Sequence, residues 1–193
     1  MKRRTFDSMV SIVGLFLAGV LVVAGSLLTW AHNFVTDEVH NQLSAQQIYF
    51  PPKGSESIAG KEYAPMQKYA GQQLTTGAQA QVYADSFIGN HLKKAGGGLT
   101  YAQLSTKAQA SPDDQKLAGQ VATMFKGETL RGLLLNAYAF GTMGTIAGIA
   151  ALSAFIAAGV MLLLAGLGLW HSRRVSPTVE IPAVHRPLVG ANA

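Results

Sequence analysis

The sequence contains no cysteine, and charged residues are scarce, at 13% of its 193 residues. Without cysteine, disulfides, zinc–thiolate sites and thiol nucleophiles are excluded, so any exported region must hold together by packing alone. Soluble domains carry about 25% charged residues, roughly twice the share found here. Hydrophobic residues make up 49% of the chain. This balance favours membrane segments combined with one modest domain.

Signals for common enzymes and for β-strands are also missing. The chain has no Gly-x-Ser-x-Gly, no His-Glu-x-x-His and no phosphate-binding loop. It shows little period-two alternation and no Asn-Gly hairpin signal. We therefore expect an all-α membrane protein that is not an enzyme and binds no cofactor.

A long uncharged run dominates what is present. No Asp, Glu, Lys or Arg lies between Arg131 and Arg173. The apolar stretch within it, 133–170, is roughly twice the ~20 residues that a helix needs to cross the hydrocarbon layer. The sequence predicts a transmembrane helix over residues 139–170.

A second apolar run, 9–28, follows three cations near the N-terminus. A cleaved secretory signal opens in the same way, but its apolar region is usually ~7–15 residues long. A small-residue cleavage site is also unclear, with 24–26 the nearest candidate. We expect an uncleaved transmembrane helix over residues 9–31.

The charges at the ends predict the orientation. Lys2, Arg3 and Arg4 precede the first span, and Arg173 and Arg174 follow the second. Cytoplasmic flanks are enriched in Lys and Arg, so residues 1–8 and a disordered tail, 171–193, are expected in the cytoplasm. Residues 32–138 then form an extracytoplasmic domain in a multi-pass protein of the cell membrane. Residues 32–132 contain nine Lys and Arg and eight Asp and Glu. This near-neutral segment lacks the dense basic face of a nucleic-acid-binding protein.

The extracytoplasmic segment is predicted to be helical. Residues 32–47 extend the first span until Pro51 and Pro52 end the helix. A polar loop covers 54–61, and Pro65 occupies the first turn of the next helix. Apolar side chains keep helical spacing over 77–95, at Ala80, Ala84, Phe87, Ile88 and Leu92.

Two further helix starts are marked by capping residues. Glycines 96–98 break the chain, and Thr100 with Gln103 has the spacing of a capping box. Ser111 is predicted as an N-cap with Pro112 at the first helical position. That helix is expected to run into the second span, with a bend near residue 127. Its predicted core side contains Leu117, Ala118, Val121, Ala122 and Phe125.

Small residues in the second span recur every three or four positions, which permits close helix packing in lipid. They are Gly141, Gly144, Gly148, Ala151, Ala154 and Ala158. We expect them to provide more close-packing surface than a single neighbouring helix uses, which favours assembly. The alternative is that they pack only against Gly14, Ala18 and Gly25 of the first span. The amide of Asn136 can hydrogen-bond across helices, either between subunits or, as we slightly favour, between the two spans of one chain.

Interface anchors are predicted at both ends of the spans. Trp30 and Trp170 are placed where an amphipathic ring prefers the membrane interface. Arg131 has helical i, i+3 spacing from Glu128 and can pair with it at the outer edge, or contact lipid phosphate instead.

Three stretches, 83–92, 96–104 and 129–138, resemble actinobacterial two-span envelope proteins of unassigned function. The resemblance covers residues 33–164. It implies an envelope location and a two-span topology. Some members of that family carry an automatic label as aromatic-ring-opening dioxygenases.

A non-haem iron site of the kind such a label implies needs two histidines and a carboxylate on one face. The best-spaced set is Asp37 with His40, one helical turn apart, and His91 from another helix. An exposed helix often carries His near Asp by chance, so we expect no metal site.

These observations favour a non-enzymatic membrane protein that acts through assembly, as a homo-oligomer or as an accessory subunit of an envelope complex. Its expected partners are the lipid bilayer and either itself or another membrane protein. An oligomeric channel or transport component is the alternative, although the spans lack the charged rings or polar stripe of most pores. A metal-dependent enzyme is the third hypothesis.

Overall fold

The computed structural model describes residues 3–174 and is all-α over that range. The α-helices are α1 (Arg3–Ala45), α2 (Gly77–Val82), α3 (Gly89–Ala95), α4 (Tyr101–Ala110) and α5 (Gln115–Arg174). Two 3₁₀-helices cover Glu56–Ile58 and Lys61–Tyr69, and a π-helix, Tyr83–Ile88, joins α2 to α3. No strand occurs within the described range, which confirms the all-α prediction.

Helices α1 and α5 are long and apolar enough to cross a membrane, as judged by length and composition. They contain 43 and 60 residues. The tail was predicted to begin at residue 171, but α5 continues to Arg174. Arg173 and Arg174 favour this extension because cations stabilise the C-terminal end of a helix dipole. The rest of the predicted tail, 175–193, lies outside the described residues.

The described chain forms two compact units, with boundaries after residues 29 and 148. We call residues 3–29 with 149–174 the paired-helix unit, and residues 30–148 the central unit. In the paired-helix unit the most buried side chains are small and recur every seventh residue, as in a coiled-coil seam. They are Ser11 and Ala18 on α1, and Ala151, Ala158, Ala165 and Ser172 on α5.

The two helices of the paired-helix unit run antiparallel, because residues with higher numbers on α1 contact residues with lower numbers on α5. Ser11 packs against Gly168, and a Cβ placed on Gly14 would lie 3.4 Å from that of Ala165. Further along, Gly25 lies directly against the ring of Phe155. Glycine, alanine and serine therefore set the close approach of these helices.

The central unit has a core of large side chains. Its largest fully buried side chains are Phe50, Ile58, Met66 and Leu74, and α5 adds Met124 and Leu134. The polar loop predicted over 54–61 was wrong in part, since residues 56–58 form a 3₁₀-helix that buries Ile58. The side chain of Ser55 caps this helix.

The segment after α1 departs from the prediction in two places. Helix α1 ends at Ala45, before the prolines, because Gln47 adopts a left-handed φ of 51°. Extended backbone follows, and the N–H groups of Phe50 and Leu74 donate to the carbonyls of Gln72 and Ile48 at 2.9 and 2.8 Å. Pro65 was expected in the first turn of a helix but lies inside the 3₁₀-helix that begins at residue 61.

The helical segment 77–95 is confirmed, with Ala80, Ala84, Ile88 and Leu92 buried. Its central π-helical turn was not predicted. The break at glycines 96–98 and the capping box of Thr100 with Gln103 are also confirmed.

The predicted start of α5 was wrong by several residues. Residues 111–114 form a turn, and Asp114 is the N-cap, because its Oδ1 accepts from the N–H of Leu117 at 2.9 Å. The predicted core side was also displaced, since Phe125 is 57% exposed and Met124 is buried. Helix α5 is continuous through Gly127, against which Leu92 packs closely.

Candidate functional site

A groove of about 310 Å³ opens in the central unit between α1, the start of α2 and α5. Helix α1 contributes His32, Thr36 and His40 at intervals of four residues, so that they share one helix face. The other lining residues are Val39, Thr75, Thr76, Gly77, Ala78, Tyr138, Gly141, Thr142 and Thr145. The groove thus combines ring and hydroxyl groups with short aliphatic surfaces.

His32 is held in a defined orientation. Its Nδ1 lies 2.7 Å from the carbonyl oxygen of Gly144. A carbonyl only accepts, so Nδ1 carries the hydrogen, and Nε2 of the neutral ring is left as an acceptor. A Cβ on Gly148 would lie 2.9 Å from the same Nδ1, so glycine makes room for the ring.

Two threonine hydroxyls on α5 donate their hydrogens to backbone carbonyls of the same helix. The hydroxyl of Thr142 donates to the carbonyl of Tyr138 at 2.9 Å, and that of Thr145 donates to Gly141 at 3.0 Å. Both side chains are exposed. Because each hydroxyl has one hydrogen, the oxygens remain able to accept a further hydrogen bond.

The part of the groove that precedes and begins α2 is held in place by a capping box. Thr76 Oγ1 accepts from the N–H of Gln79, while Gln79 Oε1 accepts from the N–H of Thr76 at 3.0 Å. Oε1 of Gln79 also accepts from the hydroxyls of Thr75 and Thr76, at 3.3 and 3.1 Å. Gln79 is buried, and a Cβ on Gly77 would lie 3.0 Å from the carbonyl of Ala137. Glycine therefore allows α2 to begin against α5.

An ion-pair network lies elsewhere in the central unit. Arg131 donates to Asp85 at 3.0 Å and to Glu128 at 3.5 Å. The pair with Glu128 was predicted, whereas Asp85 reaches Arg131 from the unpredicted π-helix. The hydrogen bond to Asp85 raises the pKa of Arg131 above its ordinary value. The network joins two helices and leaves Arg131 as a cation at any physiological pH.

A second polar cluster lies on the surface of the central unit. Lys94 contacts Glu62 at 3.5 Å and the hydroxyl of Tyr63 at 3.2 Å. The hydrogen bond to Tyr63 raises the pKa of Lys94. A hydrogen bond from the backbone of Glu62 to its own carboxylate lowers the pKa of Glu62. Both charged groups are solvated, so this is a surface ion pair of small energy.

The predicted small-residue positions all contact or face the chain itself. In the central unit, Gly141 packs against Gly77, Gly144 against Val35 and Gly148 against His32. In the paired-helix unit, Ala151 and Ala158 are buried and Ala154 is half-buried. Each of these residues therefore has a neighbour or a partly covered position within the same chain, while Gly141, Gly148 and Ala154 are only half-buried.

The remaining predicted residues are placed differently. Asn136 is exposed, so it does not join α1 to α5 within one chain, which was the reading we slightly favoured. Trp30 is exposed and stacks on Phe34 with ring centroids 5.6 Å apart. Trp170 is also exposed, and the guanidinium of Arg174 lies 4.1 Å from its ring centroid.

The histidines considered for metal binding are separated by the fold. His40 lines the groove, whereas Nδ1 of His91 lies 2.7 Å from the carbonyl of Phe87 and its ring packs against Phe87 and Tyr63. Residues 3–174 contain no group of three or more His, Asp or Glu side chains arranged to hold a metal ion.

Comparison of the chain with protein-family models, curated proteins and solved structures gives no match. The resemblance to two-span envelope proteins therefore stays a prediction.

Proposed function

We propose that the protein is a two-span membrane protein that acts by assembling, with itself or as the accessory subunit of an envelope complex. Residues 9–31 and 139–170 cross the bilayer, residues 32–138 lie outside the cell, and both termini are cytoplasmic. The length and apolarity of α1 and α5 support the spans. Cations at both ends of the pair support the orientation.

One exposed face of α5 carries the assembly proposal. Gly132, Asn136 and Ala139 follow one another at helical spacing, and all three are exposed. A Cβ on Gly132 would meet no atom within 4 Å. Two small residues on either side of an amide let a second helix approach closely and hydrogen-bond to that amide.

The amide itself strengthens this interpretation. Asn136 takes part in none of the side-chain hydrogen bonds found among residues 3–174. An amide next to a membrane span can hydrogen-bond across helices when a second helix offers a partner. A partner helix seated on this face supplies one.

The absence of cysteine gives a clean test. An Ala139→Cys variant in lipid nanodiscs or native membranes should form an intermolecular disulfide on mild oxidation. Leu130→Cys, on another side of the same helix, is the control and should remain monomeric. Adding Asn136→Leu to Ala139→Cys should reduce the crosslinked fraction several-fold. An uncrosslinked Ala139→Cys monomer that copurifies with no other membrane protein would contradict the proposal.

A further inference from the structure

None of the described residues that line the groove around His32 is Asp, Glu, Lys or Arg. Its volume, about 310 Å³, is at the lower end of the ~300–1,000 Å³ of small-molecule sites. The dimensions suit a compact ligand.

Hydrogen-bond acceptors outnumber free donors in this lining. Nε2 of His32 accepts when the ring is neutral, because Nδ1 is committed to Gly144. The hydroxyl oxygens of Thr142, Thr145 and Thr75 also accept, because their hydrogens are committed to the protein's own oxygens. A bound molecule must therefore bring donors.

A smaller set of groups in the groove can still donate. The hydroxyls of Thr36 and Tyr138 take part in no hydrogen bond among the described residues, and His40 has a ring N–H. Groups that both donate and accept match this mixture best. Hydroxyl groups do so, and a ligand carrying several of them satisfies both sets.

Other ligand classes fit less well. A phosphate or carboxylate would face acceptor oxygens with no Lys or Arg to balance its charge. An ammonium ion would find no carboxylate in the lining. His32 and His40 are eight residues apart on α1, about 12 Å along the helix axis, so they cannot ligate one metal ion. A purely apolar ligand would cover these acceptors without pairing them.

We propose that this groove binds a sugar, an uncharged hydroxyl-rich ligand, either free in solution or as the headgroup of a glycolipid. The methyl groups of the threonines and the side chains of Val39 and Ala78 provide apolar contact for the C–H surface of the ring. The proposal goes beyond assembly and requires neither Asn136 nor Gly132. Only the glycolipid source rests on the proposed membrane topology.

The test uses the full chain in phosphatidylcholine nanodiscs, purified without sugar-based detergents because these carry the probe chemistry. Soluble probes are the methyl glycosides of glucose, galactose and mannose, and the lipid probe is a glucosyl diacylglycerol. Phosphatidylglycerol serves as the anionic comparison. Affinities are measured by calorimetry, and retention of lipid is measured by native mass spectrometry.

A double variant, Thr142→Val with Thr145→Val, removes two acceptors at exposed positions whose hydroxyls bond only within α5. Each lost hydrogen bond should weaken sugar binding about fivefold, so the two losses together should weaken it about 25-fold. Thr129→Val is the matched control, because its hydroxyl makes the same bond to Phe125 outside the groove. The double Thr→Ser variant should restore binding.

Each result has a defined meaning. Binding of a free sugar or of the glycolipid, weakened by the double Val variant alone, supports the proposal and identifies the source. Absence of binding to every sugar probe would overturn it. Equal effects of the double Val variant and Thr129→Val would overturn the site, and preference for phosphatidylglycerol would overturn the ligand class. None of these outcomes depends on crosslinking at residue 139, so failure of assembly remains distinguishable.

Discussion

The buried side chains of the paired-helix unit are alanines and serines, whereas the largest fully buried side chains of the central unit are Phe50, Ile58, Met66 and Leu74. Burial of large apolar groups stabilises a domain because it removes them from water. Two helices in lipid gain nothing from that effect and associate through close packing of small residues. The contrast within one chain matches what the proposed surroundings, lipid for one unit and water for the other, would require. It predicts that the two units are damaged by opposite kinds of substitution.

The largest effect is expected from truncation in the central unit. Phe50→Ala removes a buried ring that lies 5.3 Å, centroid to centroid, from both Tyr69 and Tyr83. The resulting cavity should cost about 3–5 kcal/mol in the free energy of unfolding. Hydrogen exchange of α2–α4 amides measures this. Tyr49→Ala, at an adjacent exposed residue, should change it by less than about 0.5 kcal/mol. Equal losses in the two variants would remove the contrast.

Enlargement should be the damaging change in the paired-helix unit. Ala158 is 2% exposed, and Ala158→Leu should force α1 and α5 apart at a cost of about 1–3 kcal/mol. The readout is a disulfide between Gly14→Cys and Ala165→Cys, whose Cβ positions are 3.4 Å apart, close to disulfide spacing. The disulfide should form within one chain and decrease when Ala158→Leu is added. Val160→Leu, at an exposed position, is the control; an unchanged disulfide yield with Ala158→Leu would refute a tight seam.

The smallest effect concerns the charges of the central unit. Asp85→Asn removes the shorter contact to Arg131 and should cost about 0.5–1 kcal/mol, since all three side chains are partly solvated. Glu128→Gln, at the longer contact, should cost less. Chemical denaturation of the two variants side by side provides the comparison. A larger loss from Glu128→Gln would contradict the expectation that the shorter contact to Arg131 contributes more to stability.

Periodicity explains which parts of the fold were predictable. Helix 77–95 and its buried residues follow from apolar spacing, and the cap at Thr100 follows from residue types three positions apart. The π-helical turn was missed because one extra residue in a turn leaves the list of apolar residues almost unchanged. The start of α5 was misassigned because Ser111 and Asp114 are both good N-caps, and the turn over 111–114 favours the second.

Contacts between distant residues explain what was missed in the groove. His32 and Gly144 are 112 positions apart, and no local pattern joins them. The spacing of His32, Thr36 and His40 on one helix face was visible in the sequence and is the signal that could have drawn attention to it. The small residues of α5 were identified from the sequence. The residues against which the glycines among them pack lie far away in the sequence, on α1 and α2, and were not predicted.

The central claim is that residues 32–138 lie outside the cell while both termini remain inside. Lys53 is exposed in the central unit, and the cysteine-free chain allows one cysteine at a time to be introduced. A membrane-impermeant maleimide applied to intact cells should label Lys53→Cys and should label Ala193→Cys only after permeabilisation. Labelling of Ala193→Cys in intact cells, or protection of Lys53→Cys until the membrane is opened, would contradict the account.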